Sequence, residues 1–585
     1  MTPSQQRAID SNAPAILVVA GAGSGKTTVV TRRIARLVGS GVKPWNILVL
    51  TFTRKAANEL RERLEVAIGQ YAAGCIWAGT FHAICYKILS RHGDRIGYQI
   101  TDGNHITVVT PAETEMLLAE IVDEYRWRGS AKDLAAAKQE LAHTGEFPTD
   151  PDIGRIIREY WARLRECNAV DFDQLLLEVS RLFEDCPDVL EVYHDRFKHV
   201  FVDEYQDTDH LQYRLHEDIA PASLFVVGDP RQAIYGWRGA DISIIKGFVA
   251  AHPGAEVIEL LENFRSGAAI VAAANKVIAN NEEGKHGLIP TIQNSKVEAI
   301  NAPAGVGGVA AKIVSAGVND NSIAVIARTH ATLKAVEKNL IENDIRCHRV
   351  GAGRDGIEST PEWALLHAAL RCAVNTRDDV AFRIAHEWFG VRTNDLKGLK
   401  VRAIQAGKSM IEQHLVDDPE GELSMLRDIA QDPTATVFDV TKSYLAFDHP
   451  VVEKIDAKIA DVFQHIEDLG GADMPCVEWL EWLSTKDMHA DLEAAANDHL
   501  CVLLLTAHAA KGLEWDCVII ADFDEGIFPA KRTIREGHIE EERRLAYVAM
   551  TRARDHLVMF HSGKPSRFIG EAGITSTQTD MEVAF

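Results

Sequence analysis

Short uninterrupted apolar runs alternate along the chain with longer stretches in which Leu, Ile, Ala and Val recur at helical spacing. The runs are Ala15–Ala20, Ile47–Thr51, Val200–Val202 and Leu224–Gly228, followed by Ile323–Ala327, Val502–Leu505 and Val518–Ala521. Continuous apolar runs of this length predict strands buried on both faces, the pattern of parallel sheets flanked by helices. Residues 92–195 and about 376–497 break the rhythm and read as mainly helical, with periodic Leu, Ala and Trp among charges. The expected fold is α/β: two cores with parallel sheets, each interrupted by a mainly helical insertion. Gly305–Gly308 is expected to be a loop inside the second core.

Composition adds limits. A 585-residue chain with 46% apolar and 25% charged residues is an ordinary globular protein, which excludes a disordered or coiled-coil chain. The balance of 62 Lys+Arg against 85 Asp+Glu, net −23, excludes a basic nucleic-acid coat. Any nucleic acid must be held in a local groove of an acidic body. Nine scattered cysteines form no C-x-x-C pair, so reduced thiols are expected rather than a zinc site or a disulfide framework. The start, Met1-Thr2-Pro3-Ser4-Gln5-Gln6, lacks the features of a signal peptide. The apolar runs fall far short of the ~18 residues of a membrane span. A soluble cytoplasmic protein with no membrane partner is expected.

The most specific chemistry follows the first run. Ala20-Gly21-Ala22-Gly23-Ser24-Gly25-Lys26-Thr27 lies between a strand and a helix expected to reach about Val38. In that context glycines let backbone N–H groups converge on phosphates, Lys26 supplies a point charge and Thr27 offers a hydroxyl to Mg²⁺. A second strand, expected over Phe197–Val202, ends in Asp203-Glu204-Tyr205-Gln206-Asp207. There Asp203 suits the Mg²⁺ shell, and Glu204 suits the orientation and deprotonation of an attacking water. Hydrolysis also needs cations on the developing charge, where an arginine finger is worth about 10³–10⁵ in rate.

Together these segments resemble superfamily 1A helicases of the UvrD/Rep/PcrA type over nearly the whole chain. Gln5 stands where that family has its adenine-reading glutamine. Thr51 to Ala57, containing Phe52, resembles motif Ia, and Gly79 to His82 resembles motif Ib. Asp203 to Asp207 match motif II, and Gly228 to Ala240 match motif III over thirteen positions. Asn263 to Ser266 fit motif IV, Thr506 to Glu514 motif V, and Glu541 to Ala553 motif VI. Thr28 stands where many relatives carry Arg, and Arg54 where the nearest often have Asn.

The resemblance implies two RecA-like P-loop cores. Residues 1–91 and 196–265 would form core 1A around insert 1B (92–195); residues 266–375 and 498–585 would form core 2A around a short insert 2B (376–497). ATP, with Mg²⁺ on Thr27 and Asp203, would be bound by Gln5, Gly21, Ala22, Gly23, Ser24, Gly25, Lys26, Thr27 and Thr28. Phe264 would pack on the base and Glu514 approach the ribose. Glu204, Gln232, Arg265 and Arg552 would be catalytic, with Gln232 sensing the γ-phosphate. Phe52, Tyr235 and Trp237, with His82, Arg238 and His508 as polar partners, would hold single-stranded DNA by sequence-tolerant stacking worth about 1–3 kcal/mol per base. A base-pair step averages roughly 1.4 kcal/mol of stacking. Passing bases between aromatic pockets is thus nearly isoenergetic, and ATP-driven closure of the cores need only bias direction.

The activity implied is that of an ATP-dependent 3′→5′ DNA helicase acting on single strands and single/double-strand junctions. An accessory nuclease or a repair or replication protein would be its further partner. A translocase that unwinds little alone is the main alternative, because insert 2B is short and reads Trp388-Phe389-Gly390-Val391-Arg392-Thr393 where relatives have a Gly-Ile-Gly hairpin that touches duplex. A binding subunit with degraded catalysis is disfavoured by the intact Lys26, Glu204, Gln232, Arg265 and Arg552. An RNA substrate shares the same phosphate and stacking contacts. About thirty residues follow motif VI, so no fused nuclease is expected.

Overall fold

Each of the seven apolar runs falls on a strand of one of two parallel sheets, with Ala521 alone past its strand's end, in a computed structural model that describes residues 1–101, 104–220, 223–301, 322–350, 360–432, 434–445, 462, 464–467, 474–484 and 501–578. Gly305–Gly308 lies outside the described residues. The first sheet has six strands, β1 (Ala15–Ala20), β2 (Ile47–Thr51), β3 (Trp77–Thr80), β4 (His199–Val202), β5 (Leu224–Gly228) and β6 (Glu256–Leu260), in the order β3-β2-β4-β5-β1-β6. Every pairing is parallel, with Val19 opposite Gly228 and Leu50 opposite Val202. The carboxyl ends of β1, β4 and β5 therefore lie side by side, and open parallel sheets present ligands at that edge.

The second sheet comprises β7 (Lys296–Asn301), β8 (Ile323–Ala327), β9 (Cys347–Arg349), β10 (Val502–Thr506), β11 (Trp515–Ile520), β12 (Ala553–His561) and β13 (Ser576–Gln578), in the order β9-β10-β8-β11-β12-β7-β13. All its pairings are parallel too. Strand β4 begins at His199 rather than Phe197, and β11 spans Trp515–Ile520 rather than Val518–Ala521. Strands β3, β6, β7 and β12 carry glycine or charged residues, so they lack the unbroken apolar signature of their neighbours.

Both sheets belong to one unit, Met1–Thr80, His194–Ala352 and Asp487–Phe585. Part of the contact between them is apolar: Ala22, Ile234 and Tyr235 from the first share a buried cluster with Trp515 and Leu545–Met550 from the second.

The second unit is Phe81–Tyr193 with Gly353–Lys486. It is mainly helical, with one two-stranded parallel ladder, Thr107–Val109 against Ala169–Asp171. Helices Phe81–His92 and Pro361–Val374 belong here, beyond the insert boundaries at 92 and 376. The reason is packing: Trp363, Leu366 and Leu370 share a core with Phe382, Trp388 and Phe389. The two sequence-distant halves are joined by the buried Arg371 guanidinium, which donates to Glu113 at 2.7 Å and, from Nε, to Asp378 at 2.9 Å. Asp378 also accepts from the Thr107 hydroxyl at 2.6 Å. Trp388 and Phe389 are core residues, 0% and 1% exposed. Among the described residues no helix is long and apolar enough to cross a membrane.

Candidate active site

The loop after β1 is shaped by backbone that only glycine takes easily: Gly23 has φ +67° and Gly25 has φ +82°. A side chain at Gly23 would also place its Cβ 2.7 Å from Cβ of Arg265. Gly25 opens helix Lys26–Gly39 without a side-chain cap, so its N-cap satisfies none of the free N–H groups of the first turn. The Ser24 hydroxyl there is buried and makes no hydrogen bond among the described residues. Gln5 reaches the loop through a capping box. Its Oε1 accepts from Thr2 N at 3.0 Å, Thr2 Oγ1 accepts from Gln5 N at 3.2 Å, and its Nε2 is left to donate to Ser24 O at 2.9 Å.

Lys26 Nζ pairs with Glu204 Oε1 at 2.6 Å. Burial alone would lower the pKa of the Lys26 ammonium, but the carboxylates of Glu204, Asp203 and Asp229 outweigh it and the net shift is upward. For Glu204 burial acts upward, and Lys26 and Lys511 reverse it, leaving a firmly ionised carboxylate. Glu204 also holds φ +53°, a conformation uncommon outside glycine and typical of functional positions. Asp203 beside it is pushed up to about 6, by burial first and by Glu204 second.

From Glu204 a hydrogen-bonded chain crosses the site. Gln206 Nε2 donates to Glu204 Oε2 at 2.6 Å, and Gln206 Oε1 accepts from Asp229 N at 2.8 Å. Asp229 Oδ2 accepts from Gln232 Nε2 at 2.8 Å, and Gln232 Oε1 accepts from Arg552 Nη2 at 3.3 Å. Arg552 is 2% exposed, and its other acceptors are the carbonyls of Val548 and Leu513 and the Thr551 hydroxyl. Among the described residues it has no ion pair, and burial, then neighbouring Arg265, brings it down to about 9.

Arg265 is ion-paired with Glu514, which also accepts from Arg554 at 2.6 Å. Phe264, 47% exposed, is fixed by its backbone N–H to Gly23 O at 2.9 Å.

The unpartnered Ser24 hydroxyl and the unpaired Arg552 guanidinium are matched by a phosphate group. Thr27 and Asp203 bring the hard oxygen donors that Mg²⁺ prefers, and a buried carboxylate of raised pKa gains from a cation.

The aromatic residues lie on the same segment as Gln232. Tyr235 is 4% exposed and stacks on Phe52 with ring centroids 5.1 Å apart. Trp237 is 60% exposed and meets His508 edge-on at 5.8 Å. The Arg238 guanidinium lies over both rings, 5.8 Å from Tyr235 and 5.5 Å from Trp237. Burial, then Arg328, Lys511 and Arg238, brings the His508 imidazole down to about 3. Phe52, Tyr235, Trp237, Arg238 and His508 thus form one ledge. His82 belongs to the second unit, stacked on Phe172 at 3.7 Å.

Asn263, Gln206 and Lys511 are among the residues of the site that had no role assigned from sequence. Asn263 is fully buried; its Nδ2 donates to Ala22 O at 2.7 Å, and its Oδ1 accepts from the backbone N–H groups of Arg265 and Ser266 at 3.1 and 2.7 Å. Gln206 is the hinge of the chain above. Lys511 donates to Asp207 and, at 2.9 Å, to Gln232 O. Each lies within a recognised segment, but a polar residue inside a motif does not reveal which partner it faces.

The parallel sheets, the strand–glycine loop–helix and the apolar seam between the cores define a two-core P-loop protein. Residues 1–253 match the UvrD/REP helicase N-terminal domain, and residues 258–410 and 437–563 match the UvrD-like helicase C-terminal domain. The ATP-dependent DNA helicase PcrA of Bacillus subtilis is 32% identical over 96% of this chain and 82% of its own length. That of Staphylococcus aureus is 30% identical over 98% and 86%. The chain belongs to the UvrD/REP helicase family.

Proposed function

We propose that this protein is an ATP-dependent DNA helicase that moves 3′→5′ along single-stranded DNA and unwinds duplex. The observation that carries the reading is the continuous chain Lys26–Glu204–Gln206–Asp229–Gln232–Arg552, which links the phosphate loop of one core to a buried, unpaired cation of the other. Tyr235 and Trp237 follow Gln232 by three and five residues, so the phosphate-sensing and strand-holding parts share one rigid segment.

In this reading Gln5 and Phe264 hold the base, the Gly21–Thr28 loop cradles the phosphates and Glu514 exchanges Arg265 for the ribose. Glu204 orients water in line with the γ-phosphate and accepts its proton, while Arg265 and Arg552 meet the charge that develops. Mg²⁺ on Thr27 and Asp203 would neutralise charge on the phosphate oxygens. Single-stranded DNA and strand junctions are the substrates, with Trp237 and the Phe52–Tyr235 pair as stacking surfaces and His82, Arg238 and His508 as polar contacts. Cores 1A and 2A would form the motor, with 1B and 2B as inserts.

A second reading, a translocase that unwinds little without a partner nuclease, is favoured by one observation: Trp388 and Phe389 are buried in the second unit's core.

The test is ATP-dependent strand displacement on matched duplexes with a 3′ or a 5′ tail, in Mg²⁺ and after chelation. Separation only from the 3′ tail, lost on chelation and in Glu204→Gln, supports the helicase. Single-strand-stimulated hydrolysis without displacement from either tail supports the translocase.

A further inference from the structure

Helix Pro3–Asp10 carries Gln5 in its first turn and ends against a buried arginine of the next helix. That residue, Arg33 of helix Lys26–Gly39, is 3% exposed. Its Nη1 donates to Ala8 O at 2.9 Å, to Ile9 O at 3.2 Å and to Ser11 O at 2.9 Å. A helix leaves its last carbonyls without internal partners, and here one guanidinium gathers them. The carboxylates nearest to Arg33 pair elsewhere, Glu256 with Arg7 at 2.6 Å and Asp10 with Arg36 at 3.4 Å. The guanidinium lies over the Phe225 ring, 4.7 Å from its centroid, so its charge is directed at the helix end.

The two helices are thus fastened at both ends. At one end Gln5 Nε2 donates to Ser24 O of the phosphate loop at 2.9 Å; at the other Arg33 holds the three carbonyls. Between them Ala8 and Ile9 share a buried cluster with Val30 and Ile34. The tie through Arg7 is exposed to water and correspondingly weak. Arg33 lies two turns after Lys26, so the helix that begins at the phosphates also sets where Gln5 stands.

Of the residues assigned to the base, Phe264 offers a ring, and Gln5 alone brings a donor and an acceptor. The Gln5 Oε1 that Thr2 N occupies keeps a second lone pair. Adenine presents an amino donor where guanine presents an oxygen acceptor, so a displaced Gln5 loses that distinction. The phosphate contacts of Gly21–Thr27 do not depend on it.

We propose that Arg33 is a positioning residue that sets the base selectivity of the nucleotide site by fixing the helix that carries Gln5. The proposal rests on the ATP-dependent reading given above.

The experiment compares kcat and KM for ATP and for GTP in the full chain and in Arg33→Gln, Gln5→Ala and the double variant. Calorimetric titration with ADP and with GDP reads the same selectivity without turnover. In Arg33→Gln the preference for the adenine nucleotide should fall about tenfold in both measurements, the worth of one hydrogen-bonded contact. The fall should come through KM for ATP, with both kcat values and KM for GTP within about twofold of the parent. A variant that merely loosened the fold would lose both nucleotides alike. Gln5→Ala should lower the preference by a similar factor and the double variant no further, because both changes act on one contact. An unchanged preference, an equal loss for the two nucleotides, or a double variant that multiplies the two losses overturns the proposal. If Arg33→Gln yields no folded protein, Arg33→Lys, one bond shorter, decides: a preference lowered about threefold or more with GTP use kept supports the role, and any other result overturns it. A parent that treats ATP and GTP alike also overturns it, whereas a parent that hydrolyses neither sinks the ATP-dependent reading itself.

Discussion

Gln232 stands between Asp229 and Arg552, its amide N–H₂ held by a carboxylate of its own core and its carbonyl oxygen capping a guanidinium of the other. Neither partner satisfies Arg552 electrostatically, because the amide oxygen is neutral. The link therefore aligns the two cores without occupying the charge that an incoming phosphate would use.

Gln232→Ala should cut kcat for ATP by about 10²–10³, the usual range for one lost transition-state donor. KM should change little, since Lys26 and the glycine loop remain. Steady-state hydrolysis with parallel nucleotide-binding titrations checks this, and a changed KM with unchanged kcat would contradict it.

Trp237 is the most exposed large aromatic on the ledge. Trp237→Ala should weaken single-strand binding by about 1–3 kcal/mol, one stacking contact, and lose most DNA-coupled turnover while ATP binding persists. Anisotropy with labelled oligo(dT) and stimulated hydrolysis measure the two effects; full stimulation in this variant would remove Trp237 from the strand path.

Arg371 is 1% exposed and balances Glu113 and Asp378. Arg371→Met leaves two buried carboxylates unpaired and should destabilise the second unit by about 3–5 kcal/mol. Adding Glu113→Gln and Asp378→Asn should recover much of the loss, which urea unfolding of the three chains would show.

His216 is fully buried against Tyr205 and Tyr213, beside Glu217 and His252, and among the described residues both ring nitrogens lack hydrogen bonds. Burial, then the charge of His252, pushes its imidazole down to about 3. Below pH 6.5 the unfolded chain gains a proton that the folded chain refuses, so stability falls as pH falls. From pH 7 to pH 5 this amounts to about 2 kcal/mol. His216→Phe should remove that part of the acid sensitivity, read as a smaller shift in urea midpoint between the two pH values.

The buried strands and the glycine loop were legible in the sequence because each signal is local. A both-faces-buried strand is a run of apolar residues, and Gly23 and Gly25 stand where the backbone turns left-handed. Strand β12 was not legible: Arg554, Asp555 and His556 lead it out to solvent before Leu557 enters the core. The Arg371–Glu113 pair spans 258 positions, and no local pattern announces such a joint. Tyr235 is 4% exposed and stacks on Phe52, a pairing across 183 positions that no local pattern announces. Trp237 has no such neighbour in plane and stays exposed.

Asn263 ties the carbonyl of Ala22 to the backbone that carries Arg265, and Gly23 leaves no space between that backbone and the loop. Loop and arginine are therefore fastened as one piece, like a latch screwed to its own door. Any widening of the loop around a phosphate would be carried directly into the segment leading to the second core, so that the arrival of nucleotide would be felt there as a push through covalent and hydrogen-bonded structure as well as an attraction between charges.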